Sequence, residues 1–232
     1  MPGPNENLSC AAMTLLWDFA TVADRLKTVI DRAEADIRLE QAVYGLDAKD
    51  ERSLQEILAE KLRGWYGVAR EVHYPSSAGK KLSHRERCDL VLTPKGRPLE
   101  PAELPEQNLF TLAGEGEIHY CPAADALWLE VKVAYQFREG GARHGGYGAQ
   151  WRQKVVADLR KMEADPLIRE AGLVLIVFNE SPDILGKDLE LFEDVLAMKE
   201  VLAGFRHVRS VPILDRIGHR LCTAAVWPTV QR

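Results

Sequence analysis

Arg87-Cys88-Asp89-Leu90-Val91-Leu92 and, further on, Ala126-Leu127-Trp128-Leu129-Glu130-Val131-Lys132-Val133 are two short apolar runs, each interrupted by charge. Apolar runs of this length read as strands, and the charges mark where a strand leaves the core. Residues two apart on a strand share a face. Glu130 and Lys132 therefore project together, while Leu129 and Val131 pack behind. If the two strands pair, Asp89 joins them. A carboxylate from each strand with an ammonium beside them is the set that metal-assisted phosphodiester hydrolysis needs.

Outward from this pair, the chain alternates helical and extended patterns. Phe19, Val22, Leu26, Val29, Ile30 and Ile37 recur at helical spacing between Trp17 and Leu39, and Tyr44-Gly45-Leu46-Asp47 breaks the pattern. Residues 1–46 are thus expected as a helical extension, packed on the core or on a second subunit. Leu54, Ile57, Leu58, Leu62 and Trp65 predict a helix from about Asp50 to Trp65, and Arg70 to Tyr74 alternates like a strand that stops at Pro75. Residues 94–124, rich in proline, glycine and carboxylates, read as a long insertion between the Asp89 and Glu130 strands. Arg138 to Gly146 is a glycine-rich loop. Trp151, Val155, Leu159 and Met162 line one side of a helix. Gly172 to Phe178 is a continuous apolar run, the pattern of a strand buried on both faces. A helix over about 185–202 and strands over 208–214 and 221–227 complete the chain. The order predicts an α/β sandwich around one mixed sheet, with residues 47–232 as its domain.

Composition narrows the function. The 232 residues are 46% hydrophobic and 28% charged, as in an ordinary globular protein, and no apolar run has the length of a membrane span. The first residues do not resemble a secretory signal. Cys10, Cys88, Cys121 and Cys222 are too widely spaced for a zinc site, and reduced thiols in a cytoplasmic protein are expected. The net charge of -5 argues against a passive nucleic-acid-coating module. It argues less against an enzyme whose acidic residues hold a metal.

A Glu-x-Lys tripeptide alone carries no weight, because chance supplies about one in a chain of this length. Flanked by apolar strands and preceded by the Asp89 strand, it resembles the PD-(D/E)xK nuclease superfamily. There a helix bearing a glutamate precedes a hairpin carrying an aspartate and then Glu-x-Lys, and a further helix and strand complete the core. The resemblance covers roughly Asp50 to Phe178. It implies a restriction-endonuclease-like fold, with a mixed central sheet flanked by helices. It also implies a magnesium-dependent deoxyribonuclease, in which manganese can substitute. By the same resemblance Asp89, Glu130 and the Val131 carbonyl would bind the metal. Lys132 would orient or activate the attacking water. Two departures stand: Cys88 replaces a frequent proline, and 40 residues separate Asp89 from Glu130, more than a usual hairpin.

Helical projection favours one of two glutamates to complete the site. At 100° per residue, Glu51 falls on the line of Leu54, Leu58, Leu62 and Trp65, whereas Glu56, the alternate, falls on the solvent side. Gln153 on the later helix points away from Val155 and Leu159. Lys80, Lys81, His84, Arg85 and Arg87 form a basic cluster before Asp89, and Arg143 and His144 sit in the glycine-rich loop. Both groups are candidates for contact with a nucleic-acid backbone. The expected partner is DNA, with RNA open, and a homodimer or partner subunit would choose the cleavage site. The competing expectation is a non-catalytic member of the same fold that binds protein or nucleic acid. The acidic insertion (Glu100, Glu103, Glu106, Glu115, Glu117) suits a protein partner.

Overall fold

The structure, a computed structural model, describes residues 17–81, 83, 85–101 and 118–230, and their side chains except those of 150–154. Much of the long insertion, including Glu103, Glu106, Glu115 and Glu117, lies outside the described residues, as do His84 and the Gln153 side chain.

Six strands form one mixed sheet: β1 (Tyr66–His73), β2 (Arg87–Pro94), β3 (Leu127–Tyr135), β4 (Glu170–Asn179), β5 (His207–Pro212) and β6 (Leu221–Pro228). Their spatial order is β1-β2-β3-β4-β6-β5. Only β3 and β4 run parallel, joined by the helix α3 (Tyr147–Glu163); every other neighbouring pair is antiparallel. The fold is α/β, with helices on both faces. α1 (Phe19–Leu39) and α2 (Glu51–Leu62) cover one face; α3 and α4 (Pro182–Met198) cover the other.

The continuous apolar run of β4 is explained by its central position. Val174, Ile176 and Phe178 join the core under α1 and α2, while Leu173, Leu175 and Val177 join the core under α3 and α4. Strand alternation feeds both cores from one segment. α1 begins at an N-cap, Asp18, whose carboxylate accepts the N–H groups of Ala20 (3.0 Å) and Thr21 (3.2 Å). Its Val22, Leu26, Val29 and Ile30 are buried on the sheet side with Val211, Cys222 and Val226. Phe19 lies over Gly172 of β4, where an added Cβ would come within 2.6 Å of the Phe19 ring and 2.8 Å of the Trp227 carbonyl. α2 starts at Asp50, which caps it by accepting the Ser53 N–H at 2.8 Å. That cap fixes where Glu51 stands.

Candidate active site

The site begins where two strands part. β2 pairs with β3 from Leu92↔Leu127 to Leu90↔Leu129 and no further, so Asp89 and Glu130 stand at the mouth of a widening gap. On β1, opposite Asp89, the chain is distorted. Pairing passes from Arg70↔Leu90 to Val72↔Cys88 around Glu71, which adopts a left-handed φ of 52°.

Parting strands leave backbone donors without a ladder partner, and buried donors need one. Two carboxylates supply it. Asp89 Oδ2 accepts the Val131 N–H at 2.7 Å, and Glu51 Oε2, reaching over from the start of α2, accepts the Val133 N–H at 3.2 Å. In an extended strand the N–H and C=O of one residue point to the same side, so the Val131 carbonyl also opens into the gap.

Lys132 closes the ring. Its Nζ lies 3.3 Å from the Val131 carbonyl oxygen, 3.6 Å from Asp89, 3.8 Å from Glu130, 3.8 Å from Glu51 and 3.4 Å from Asp158 on α3. Burial works against its charge, but Asp89, then Asp158, Glu51 and Glu130 outweigh this and hold the ammonium above its ordinary value. Glu130 is the deepest member, only 2% exposed. Its Oε1 accepts the Tyr74 hydroxyl at 2.6 Å and pairs with Lys161 of α3 at 2.7 Å. Burial pushes its carboxyl up, and the Asp89 charge adds to this, while the bonds from Lys161 and Tyr74 hold it down. The Tyr74 phenol, buried and beside Cys88 and Glu130, is raised far above its ordinary value and remains a hydrogen-bond donor. Its ring stacks on Trp128 at 5.7 Å and lies under the Lys161 ammonium at 4.9 Å.

The structure thus brings Asp89, Glu130, Lys132, Glu51 and the Val131 carbonyl together. Glu56 is elsewhere, exposed and paired with Arg52 (3.5 Å) and Arg70 (3.2 Å). The basic residues are dispersed. Arg87 lines a cleft of about 590 Å³ with Glu51, Asp89, Arg52 and Arg70. Lys80 lines a different hollow, with Tyr74, Arg160 and Lys161, and Arg85 donates from Nε to the Lys80 carbonyl at 2.8 Å. Lys81 is exposed. Arg143 lies 3.7 Å from Glu180, and His144 faces a separate cavity beyond Asp50. Three members were not anticipated: Tyr74, Asp158 and Lys161. Asp158 and Lys161 lie one helical turn apart and pair at 3.4 Å, a spacing that reads in sequence as an ordinary surface pair.

Electrostatics sets what the cluster can do. Four carboxylates (Glu51, Asp89, Glu130, Asp158) face two ammonium groups (Lys132, Lys161), a formal excess of two negative charges among these six groups, with Glu51 on the exposed side. An excess of this kind is met by protonation, by neighbouring cationic side chains such as those of Arg52, Arg70 and Arg87 in the adjoining cleft, or by a bound cation. Among the described residues no three His, Cys, Asp or Glu side chains are drawn together as a ready-made metal site. The oxygens around the Lys132 ammonium come from four carboxylates and the Val131 carbonyl, donors of the hard type that magnesium takes. Comparison with known proteins finds no match to this chain among family models, curated proteins or solved structures.

Proposed function

We propose that the chain is a metal-dependent nuclease that hydrolyses phosphodiester bonds in DNA, built on a restriction-endonuclease-like fold. The observation that carries this reading is the Lys132 ammonium, ringed by Asp89, Glu130, Glu51, Asp158 and the Val131 carbonyl at one point of strand divergence. The order α2-β1-β2-β3-α3-β4 is also the element order that the PD-(D/E)xK resemblance implies, with Glu51 on the helix, Asp89 on β2 and Glu130-x-Lys132 on β3.

In this reading Asp89, Glu130 and the Val131 carbonyl would hold magnesium or manganese, whose charge would offset the excess of two. The ion would polarise the phosphate and make water a better nucleophile at neutral pH. Lys132 is placed to orient that water and to stabilise the charge that develops on the phosphate. Glu51 steadies Lys132 and keeps β3 in place through the Val133 N–H. Tyr74 and Lys161 are positioning residues for Glu130. Arg52, Arg70 and Arg87 line the cleft in which Asp89 and Glu51 stand and suit a phosphate backbone. Buried, unpaired Cys88, Cys121 and Cys222 agree with a reducing, cytoplasmic setting.

A second reading, a non-catalytic module of the same fold, is favoured by one observation: each carboxylate already has a protein partner. Asp89 and Glu51 hold backbone N–H groups, and Glu130 holds Tyr74 and Lys161. The two readings part in one experiment. Supercoiled plasmid and short single-stranded DNA are incubated with wild type and Lys132→Ala, with magnesium, manganese or EDTA. The nuclease reading expects cleavage by wild type, abolished by EDTA and reduced at least 100-fold by the substitution. DNA binding without cleavage by folded wild-type protein in either metal would favour the module.

A further inference from the structure

We propose that the cavity beyond Asp50 is a nucleobase pocket, which receives one unpaired base of the strand whose phosphate lies at Lys132. This rests on the nuclease reading and deepens it: the substrate is single-stranded, or a base is turned out of a duplex.

Position comes first. Asp50 lines both the arginine-bearing cleft and a second cavity of about 570 Å³, so the two hollows share a wall at the start of α2 beside Glu51. Tyr135 of β3 also lines this cavity, two residues beyond Val133, whose N–H Glu51 holds. At 3.3 Å per residue, the cavity opens roughly 7 Å along β3 from that bond. A nucleotide whose phosphate sits at the carboxylates has its base within reach of it.

The lining differs from that of the cleft. Tyr44, Tyr135, Phe137 and His144 supply flat rings. Asp47, Asp50 and Glu139 are set against Lys49 and Arg138, a near-balance that gives a phosphate no net attraction and leaves an uncharged ring acceptable. The volume lies within the roughly 300–1,000 Å³ of small-molecule sites. Base stacking on aromatic rings tolerates any sequence, because every base has a π-face.

The floor is fixed in advance. Tyr135 lies nearly parallel to Phe178, with ring centres 5.2 Å apart, and its hydroxyl donates to the Lys49 carbonyl. The Phe137 N–H donates to His219 Nε2 at 3.0 Å, so His219 Nδ1 carries the proton towards Asp47 Oδ2 at 2.9 Å. Gly218 admits the Phe137 ring, since a Cβ there would stand 3.1 Å from it. Above this floor Tyr44 is 63% exposed, a large ring at the rim open to a partner. A base inside a duplex stack cannot enter such a pocket unless it is turned out.

The test is a single-turnover run with magnesium and a single-stranded 12-mer carrying 2-aminopurine at successive positions, using wild type and Tyr44→Ala. Expected is a fluorescence change for the base on one side of the cut, before cleavage. Tyr44→Ala should slow cleavage at least five-fold below saturation. An abasic unit at the same position should slow it by a similar factor, with no further loss when the two are combined. Equal cleavage of the abasic and intact strands overturns the pocket even if Tyr44→Ala is poorly folded. So does a fluorescence change at no position. If plasmid nicking still depends on Lys132, only the pocket is lost. If neither cleavage nor a signal appears with folded wild-type protein, the nuclease reading falls with it.

Discussion

Glu130 shows how a single residue carries opposed demands. Buried to 2% exposure, its carboxylate is costly to keep charged, and the nearby Asp89 raises the cost. Tyr74 and Lys161 offset this by donating to one oxygen, Oε1, leaving Oε2 on the side of Lys132. Tyr74→Phe removes one of those donors without opening a cavity. Hydrogen bonds to a buried charge contribute about 1.5–3 kcal/mol, so urea unfolding in EDTA should show a loss of about 2 kcal/mol. A purely structural role would stop there. If Glu130 holds the metal, as proposed, Tyr74→Phe should also raise the magnesium concentration for half-maximal cleavage by about tenfold. Unchanged magnesium dependence would reduce Tyr74 to a packing residue.

Among the elements, α1 is seated by a near-contact. Phe19 rests on Gly172 of β4, and the second close neighbour there is backbone, the Trp227 carbonyl, which cannot swing aside. Gly172→Ala should therefore cost about 1–3 kcal/mol in urea unfolding, as for other overpacked cores. A stability equal to wild type would mean that α1 shifts freely on the sheet. Much of this layering was legible in the chain, because β4 is apolar without interruption and the helices repeat at their own period. The end of α4 was not. Its apolar pattern runs on towards Leu202, but the helix stops at Met198 and Glu200 takes a left-handed φ of 55°, a task that glycine usually signals. In the site, strand alternation put Glu130 and Lys132 on one face, with Asp89 joining them if the strands paired, and helical projection favoured Glu51 with Glu56 as the alternate. Asp158, Lys161 and Tyr74 were hidden because they arrive from α3 and from the turn after β1. Only the packing of those segments, not a spacing in the chain, brings Tyr74 and Lys161 to Glu130 and Asp158 to Lys132. The parting of β2 from β3 leaves no mark in residue types either.

For the molecule as a whole, the proposed metal site, with four carboxylates facing two ammonium groups, predicts that a bound cation stabilises the fold. A ligand that binds only the folded state stabilises by RT ln(1 + [L]/Kd), about 2.7 kcal/mol at a hundredfold excess over Kd. In a chain of this size each kcal/mol moves the melting temperature by roughly 2–4 °C. Magnesium at saturating concentration should thus raise the Tm of wild type by several degrees over EDTA, and that of Asp89→Asn far less. Equal shifts in both would point to cations held elsewhere. The widening gap between β2 and β3 carries a consequence for motion. There the sheet is completed by side chains, since Asp89 and Glu51 hold the amides of Val131 and Val133 that a neighbouring strand would otherwise take. A carboxylate that turns towards a ligand must share or release its amide. Occupancy and local order in β3 are therefore in competition, and the hydrogen exchange of two backbone amides becomes a clock for whether the site is filled.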